Sequence, residues 1–429
     1  MCLKKIINLG PKGFPDIYRG SEFRRYGDTS IIDQNLVLNF STKRHKYFHD
    51  SIKWKFNILS KLYSKFKNKN QDSLSSFYFI LKIRILKLIK KSENFKNFQA
   101  SILQNLGNLI HNSCIFTESE TKMRIQNSLC SFFITNESLL DNHFVLLKKL
   151  DAVDYKRGTQ VAGNRGYFLK GIGVILNFSI IRYGLDFLAK ENYTCLQTPY
   201  FMKNSLLKKC TQLNDFSEQL YGIGNNSKFL IATSEQPISA FHSSEQISTS
   251  KLPLKYCGYS TCFRKEGGSH GKDTKGIFRV HQFEKVEQFI IGKSDINSWM
   301  LFEQMLENSK RFYLSLNIPF NLVDIPSGSI NLSASKKIDI LGFFPASNTF
   351  RELVSCSNCT THQSKKLKVE FKIKPTHKHW MPVTMLNSTL CATTRLICCI
   401  CENYQNNKGI TIPAVLRSYM GISFIPFKK

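Results

Sequence analysis

Apolar residues recur at spacings of four and seven from Leu36 onward, through Phe40, Tyr47, Trp54, Ile58, Leu62 and Phe66. That period predicts a long amphipathic helix with this stripe turned inward. The polar, basic run KNKNQD at 67–72 interrupts it. The pattern then resumes on Leu74, Phe77, Leu81, Ile85 and Leu88, followed by Phe95, Phe98, Ile102, Leu106 and Leu109. Two such helices joined by a short turn predict an antiparallel hairpin over about 36–106. Residues 107–165 read as a connector, and no internal repeat stands out. From Val161 the pattern changes. Glycines, prolines and short β-rich runs (228–233 and 286–291) alternate with helical stretches (172–189 and 296–316). This mixture predicts an α+β domain with a largely antiparallel sheet. The expected organisation is an N-terminal domain over 1–110, a connector over 111–160 and a larger domain over 161–429.

Charge sharpens the picture. Lys and Arg total 60 against 31 acidic residues, a net charge of +29, and residues 1–110 hold 21 of the cations against 7 acids. A basic surplus concentrated on the hairpin favours a polyanionic partner, nucleic acid first and a membrane surface second. A compositional drift toward Lys, Asn, Ile and Phe is the plain alternative, with the hairpin's lysines merely solvated. The chain has 13 cysteines, with Cys398, Cys399 and Cys401 crowded together and no regular framework, which fits a reducing compartment. The start lacks the apolar core and cleavage site of a signal peptide. The apolar stretch 77–91 carries Lys82, Arg84, Lys87 and Lys90 and is too short and too charged to span a bilayer. No membrane association is expected.

Common nucleotide-binding loops are absent from the pattern. GGSHGK at 267–272 has three residues between its outer glycines and Asp273 after the lysine, whereas a P-loop needs four and then Ser or Thr. The GIG at 171–173 lacks the third glycine of a dinucleotide fingerprint. The segment richest in chemistry is 257–289, CGYSTCFRKEGGSHGKDTKGIFRVHQFEKVEQF. Two strands joined by its polar loop would bring Arg264, Glu266, Arg279, Phe283 and Glu287 together. Odd positions from Arg279 to Glu287 would share one face, offering a cation, a stacking ring and a carboxylate. A charged surface hairpin is the other reading of the same residues.

Taken as a set, these residues carry a resemblance. Arg264-Lys-Glu266 followed by RVHQFEKVE at 279–287 resembles motif 2 of class II aminoacyl-tRNA synthetases in its seryl form. Further matches are VAGNRGYFLKG at 161–171, Thr198-Pro199, FLIATSEQP at 229–237 and RELVSCSNC at 351–359. LNSTLCATTRLICCICENYQ at 386–405 looks like motif 3. Gly107-Asn108-Leu109-Ile110-His111 is similar as well, so the resemblance, to the eukaryotic cytosolic type, covers nearly the whole chain and is weaker in the helical arm.

The resemblance implies a class II antiparallel sheet flanked by helices, preceded by an antiparallel coiled-coil arm. It implies ligation of L-serine to serine tRNA with ATP through a seryl adenylate, and serylation of selenocysteine tRNA where that tRNA exists. Residue by residue, Thr233, Glu235, Glu287 and Asn387 would bind L-serine, with Glu287 on its ammonium. Arg264 would hold the serine carboxylate and the α-phosphate, and Arg395 the γ-phosphate from the opposite side. Lys265, Glu266, Val280, His281, Gln282 and Phe283 would line the ATP site, with Glu266 on the adenine amino group and Phe283 stacked on the ring. Glu352, Leu353, Val354 and Ser355 would complete it, Glu352 and Ser355 holding Mg²⁺. Pro199 matches a proline at the interface of a homodimer. The arm would embrace the tRNA, with Lys61, Lys65, Lys67 and Lys69 near its tip as contacts. A cytoplasmic location follows, since family-like sequence begins almost at Met1.

Zinc is not expected: Cys356 and Cys359 form a CxxC that the family also carries, with no second pair at finger spacing. Some positions depart from the family pattern. Leu341 and Phe343 stand where it has Glu and Trp, and Thr361, His362, Lys365 and Lys366 where it has Asp, an aromatic and paired arginines. The competing functional reading is a catalytically silent relative that still binds tRNA. Against it stands the retention of Arg264, Glu266, Phe283, Glu287, Glu352 and Arg395.

Overall fold

A computed structural model describes residues 15–66, 72–104, 106–117, 124–129, 140–211, 219–266, 275–294, 297–373, 376–377 and 379–428. Asn108–Lys429 forms one compact unit, and the chain up to Gly107 forms another.

The N-terminal unit consists of α1 (Pro15–Arg24), α2 (Ser30–Phe66) and α3 (Asp72–Gln104), with α2 and α3 packed on each other as a hairpin. Gly107 closes back on α1 by donating its N–H to the buried carboxylate of Glu22, at 2.9 Å. The seam of the hairpin differs from the stripe that the spacing predicts. Phe40, Tyr47, Trp54, Ile58 and Leu62 are all exposed, Tyr47 to 73%. The sheltered positions are Leu38, Thr42, His45, His49, Ile52 and Phe56, which alternate by four and three as a coiled-coil seam does. His45 stacks on Phe95 of α3 with ring centroids 4.9 Å apart. The partner helix decides which stripe is buried, and here it covers the less bulky one. On α3, Ile85 is buried as its pattern predicts, whereas Phe98 is exposed.

The second unit is organised by an eight-stranded sheet. In chain order its strands are β1 (Arg124–Leu129), β2 (Thr194–Gln197), β3 (Leu254–Phe263), β4 (Gln282–Gly292), β5 (Phe320–Asp324), β6 (Lys336–Phe344), β7 (Thr349–Asn358) and β8 (Thr384–Ala392). Their spatial order is β1-β5-β6-β7-β8-β4-β3-β2. Every pairing is antiparallel except that of the edge strand β2 with β3. The opposite edge, β1, comes from the stretch that the sequence pattern suggests is a connector. The expected runs at 228–233 and 286–291 and the helices at 172–189 and 296–316 appear as Lys228–Leu230, Gln282–Gly292, Ile172–Lys190 and Asn297–Ser315.

One face of the sheet is covered by helices. The helix α6 (Ile172–Lys190) buries Leu176, Ile180, Ile181, Gly184 and Leu188, spaced three and four apart. It approaches closely enough that a Cβ on Gly184 would already touch Leu390, Cys391 and Val286. Among the described residues α6 is the one helix long and apolar enough to cross a membrane, and its apolar face is occupied by this core. The short α4 (His143–Lys149) and α5 (Tyr155–Ala162) precede it, while α8 (Asn297–Ser315) and α10 (Thr393–Asn403) complete the layer. The α10 cysteines 398, 399 and 401 are wholly buried and unbridged, and burial pushes their thiols upward. They serve as small apolar packing residues. The other face is partly covered by a second apolar cluster around Phe289, Ile291 and Met385, and beside that cluster it opens as a cleft.

Candidate active site

Two irregularities in the sheet set which side chains meet in the cleft. The β6–β7 register slips between Ile340 and Leu341, leaving Leu353 as an extra residue on β7. The β4–β8 register slips between Val286 and Glu287, leaving Leu390 extra on β8. Side chains alternate along a strand, so residues three apart normally point to opposite faces; one bulge brings them to the same face. Glu352 and Ser355 therefore share the cleft face of β7, and Thr389 and Ala392 that of β8. Next to β8, on its side away from β7, β4 presents Phe283, Lys285 and Glu287 on the same face. The cleft is lined by Arg264, Glu266, Phe283, Lys285, Glu352 and Arg395, with Phe278, Arg279 and Val280 at one end.

Glu287, two residues along β4 from the cleft-lining Lys285, is 5% exposed. Thr233 Oγ1 donates to its two oxygens at 2.7 and 2.6 Å, Ser234 Oγ at 2.5 Å and the Glu235 N–H at 3.2 Å. These donors come from the start of α7 (Glu235–Phe241), which covers β3. Gly258, the β3 residue opposite Glu287, permits that closeness: a Cβ there would stand 2.7 Å from Ser234 Oγ and 2.4 Å from Ile238. Lys285 supplies the remaining partner, an ion pair with Glu287 Oε1 between two nearly buried side chains. Burial alone would raise the Glu287 carboxyl. The charge of Lys285 and the hydrogen bonds from Lys285, Ser234 and Thr233 reverse this and hold it below the ordinary carboxylate value. Its neighbour Glu235 goes the other way, pushed up to about 7 by burial and by the negative charge of Glu287, against a 2.8 Å hydrogen bond from Gln363.

In the cleft itself, Arg264 lies over the Phe283 ring, 5.3 Å from its centroid, and donates from Nε to the Ala232 carbonyl at 3.3 Å. Arg395 faces it from α10, donating to the Glu352 carbonyl at 3.0 Å with the Glu352 carboxylate 3.5 Å away. Arg395 and Arg351 both approach the Phe278 ring, at 5.1 and 5.3 Å. Burial disfavours charge on Glu352, but Arg395, Lys337, Arg264 and Lys285 outweigh it and keep the carboxylate ionised. Asp339 is raised instead, by burial, although Lys337 pairs with it. The arrangement is a strip of cations with carboxylates at two points, suited to a ligand bearing both an ammonium and several phosphate oxygens.

Several expected site residues lie elsewhere. His281 and Gln282 border a neighbouring hollow, shared with Phe283 and Tyr167. His281 Nδ1 lies 2.9 Å from the Arg264 carbonyl, to which it donates when that nitrogen carries the proton. Lys265 is exposed beside Tyr221. Val354 is fully buried on the core side of β7. Asn387 shares the face of Thr389 on β8 and donates to Cys359 Sγ at 3.5 Å. Pro199 is exposed just beyond the edge strand β2. Arg279 lines the cleft but precedes β4, so the shared face of odd positions begins at Phe283. The GGSHGK stretch, Lys67 and Lys69 lie outside the described residues, as does the side chain of Lys65; Lys61 is exposed on α2.

Four contributors were not singled out from sequence. Lys285 shares the odd parity of Phe283 and Glu287, a signal that was available. Ser234 lies inside the TSE segment. Gln363 and Arg165 act from a distance: Gln363 holds Glu235, and Arg165 donates to the Glu266 carbonyl at 3.0 Å. Nothing local in sequence marks those two contacts.

The raised Glu235 carboxyl has a consequence for stability. The folded chain keeps this proton between the ordinary carboxylate range and about 7, where the unfolded chain releases it. Its contribution is full below that interval and lost as pH rises through it. Glu235→Gln, which mimics the protonated form, is expected to gain on wild type by about 3 kcal/mol between pH 4.5 and pH 8. Urea unfolding at both pH values checks this; a stability difference that does not change with pH contradicts it.

Comparison with known proteins agrees with this geometry. Residues 221–404 match the model of the tRNA synthetase class II core domain (G, H, P, S and T). The chain is 45% identical to the cytoplasmic serine–tRNA ligase of Dictyostelium discoideum, covering 97% of this chain and 93% of that protein. It is 43% identical to the Arabidopsis thaliana cytoplasmic serine–tRNA ligase, covering 96% and 94%. The crystal structure of the cytoplasmic serine–tRNA ligase of Naegleria fowleri in complex with AMP superposes with a TM-score of 0.88 at 39% identity, over 100% of this chain and 99% of that one. At such identity over nearly its full length, the chain belongs to the seryl-tRNA synthetase family of class II aminoacyl-tRNA synthetases.

Proposed function

We propose that this chain activates L-serine with ATP and transfers it to serine tRNA, and that it serylates selenocysteine tRNA where one is present. The observation that carries the reading is the cleft itself, lined by Arg264, Arg395 and Lys285, with the buried, ionised Glu287 paired to Lys285 beside it. An amino acid placed with its ammonium on Glu287 sends its carboxylate toward Arg264. ATP lies along the same strip, with the adenine between Glu266 and Phe283 and the γ-phosphate near Arg395. AMP is the ligand named in the Naegleria structure.

A serine carboxylate oxygen then attacks the α-phosphorus in line. The bond from that phosphorus to the bridging oxygen breaks, and pyrophosphate leaves with the electron pair. No proton moves at the reacting oxygens, so positioning and charge neutralisation are what the protein must supply. Arg264, beside both the carboxylate and the α-phosphate, gains most as charge builds in the transition state. A hydroxyl of the terminal adenosine of the tRNA next attacks the carbonyl carbon of the adenylate; the bond from that carbon to the phosphate oxygen breaks, and AMP departs with the electron pair while the hydroxyl proton passes to a phosphate oxygen or to solvent. Selection of serine would come from polar groups near Thr233 and Glu235 that are left unpaired when alanine binds.

Glu352 and Ser355 fit a magnesium ion. The carboxylate stays ionised, remains partly open to solvent, and shares the cleft face with the hydroxyl three residues on. Two protein oxygens, with phosphate and water oxygens for the rest, suit the hard, octahedral preference of that ion. When bound it would neutralise phosphate charge. Leu341, paired directly with Glu352 on β6, stands where the family has a glutamate, so Glu352 is the carboxylate available there. Lys365 and Lys366 lie on α9 (His362–Leu367), behind Gln363 and away from the cleft.

ATP–pyrophosphate exchange with purified protein, Mg²⁺ and each amino acid in turn tests the activation step. Exchange with serine alone is expected, and Arg264→Ala is expected to lower it at least ~100-fold, the scale for losing a transition-state donor. Near-normal exchange in that variant, or exchange with another amino acid, contradicts the reading.

The basic hairpin takes the tRNA. Its exposed stripe of Phe40, Tyr47, Trp54, Ile58 and Leu62 is flanked by Lys43, Arg44, Lys55 and Lys61, joining apolar and aromatic surface to phosphate-binding charge. Removing 40–105 is expected to spare pyrophosphate exchange and raise the KM for tRNA more than tenfold in charging assays. Unchanged charging kinetics would refute this role.

The chain works as a homodimer in the cytoplasm, the compartment in the names of its relatives. The exposed edge strand β2, Pro199 beyond it, and Ile175 and Phe178 exposed on α6 support such an interface. Sedimentation is expected to give about twice the 49.4 kDa chain mass; a particle of one chain mass at micromolar concentration contradicts it.

A further inference from the structure

The Glu287 carboxylate has no vacant place for a substrate ammonium. Thr233 and Lys285 occupy Oε1; Thr233, Ser234 and the Glu235 N–H crowd Oε2. A serine ammonium that pairs with Glu287 must displace one of these donors. Three of them are fixed by the chain: the Glu235 N–H is backbone, and Thr233 and Ser234 have short side chains clamped by α7 over Gly258. Lys285 is different. It is long, carries the same charge as the incoming group, and borders the open cleft as well as the carboxylate.

We propose that Lys285 is the resident cation of the amino-acid site: its ammonium stands in for that of serine, keeps Glu287 ionised while the site is empty, and is handed over to the phosphate-binding end when serine arrives. The inference rests on the assignment of serine to this cleft. It deepens that assignment by giving a role to a residue that the resemblance leaves without one. No net charge is buried or lost in the exchange, because one ammonium replaces another on the same carboxylate. The released Lys285 turns toward the space between Arg264 and Glu352, where an α-phosphate and a serine carboxylate both bring negative charge. Serine binding thereby adds a cation to the nucleotide site.

The groups facing Glu287 define the test. They are Lys285 on its own strand, Glu235 from α7, and Arg264 with the Cys262 thiol from β3. With Lys285 present, Glu287 is already ionised and serine binds without proton release from it. In Lys285→Met the carboxylate is desolvated without its main counter-charge and holds a proton, which serine must expel. Serine affinity in that variant is expected to rise with pH, gaining at least tenfold more than wild type between pH 6 and pH 8. Lys285→Arg, which keeps the charge, is expected to follow the wild-type slope. Glu235 holds its proton into the same interval in wild type, and both Glu287 and Lys285 act on it, so the three proteins are compared in a Glu235→Gln background, where that titration is absent.

Calorimetric titration with L-serine alone supplies these affinities. Parallel profiles for Lys285→Met and wild type overturn the inference while leaving the serine assignment intact; failure of wild type to bind serine at all sinks both. Should Lys285→Met not fold, the wild-type protein labelled with ¹³C-lysine decides. The Lys285 signal, assigned by its loss in Lys285→Arg, is expected to shift on saturation with serine, and an unmoved signal overturns the proposal.

Discussion

Glu287 is a carboxylate taken out of water in the middle of an eight-stranded sheet, and an isolated charge there would be expelled or neutralised. Its surroundings answer that cost with four donors: two hydroxyls, one backbone N–H and one ammonium. Each donor imposes a demand elsewhere. The hydroxyls require α7 to lie directly on β3, which requires glycine at 258. The ammonium requires Lys285 to share the face of Glu287, which regular strand alternation provides. Burial, with the charge of Glu287 added, raises Glu235 to about 7, so two adjacent carboxyls settle into opposite states, one ionised and one holding its proton near neutrality. That division gives the site an anion for an ammonium and a potential hydrogen-bond donor for a hydroxyl.

The remaining geometry follows from where the sheet is irregular. Were β7 and β8 regular, Ser355 would point away from Glu352, and Ala392 away from Thr389. The bulges at Leu353 and Leu390 correct both parities and send the extra residue's side chain into the apolar layer. Immediately after β8 the chain enters α10, whose consecutive residues Leu396 to Cys401 are fully buried all round the helix and fix it in the core. Arg395 then has little freedom except toward the cleft. At the far end of the same helix, the buried Glu402 accepts from the His143 backbone at 3.0 Å, from its ring at 2.7 Å and from the Ala346 backbone at 3.2 Å. This ties α4 and the turn after β6 to α10, so the apolar packing and one buried carboxylate together aim a guanidinium.

How far sequence could be read follows from what each signal encodes. Phe283 and Glu287 were legible because period-two alternation is a local property and β4 is regular from Gln282 onward. Arg279 was grouped with them, but the strand had not yet begun there. Lys285 obeys the same parity, but nothing in a one-dimensional pattern distinguishes a lysine aimed into a site from one lying along a solvated edge. The arm shows the opposite failure. Phe40, Tyr47 and Trp54 form the more conspicuous stripe on α2, yet the seam runs through Thr42, His45 and His49. Bulk alone selects a buried face only when the partner helix is known. The strand at 124–129 was likewise missed, since edge pairing with β5 depends on a segment nearly two hundred residues away.

The departures from the family pattern can now be weighed by position. Phe343 is nearly buried, its ring 5.1 Å from that of Phe350, and its carbonyl accepts from Asn403 of α10 at 2.9 Å. The backbone contact survives any side chain, so an aromatic of smaller size keeps the support of the helix. Lys366 is pushed down to about 8 by burial behind the site, a cost that arginine, which stays charged, could not lessen by shedding its proton. Leu341 is the substitution that touches chemistry, because it faces Glu352 across the strand pair. One carboxylate fewer there leaves the cleft more positive, and the strip of Arg264, Lys285 and Arg395 has less to oppose it. A site that draws on its own cations to hold phosphate depends correspondingly more on keeping Lys285 paired until the substrate is in place.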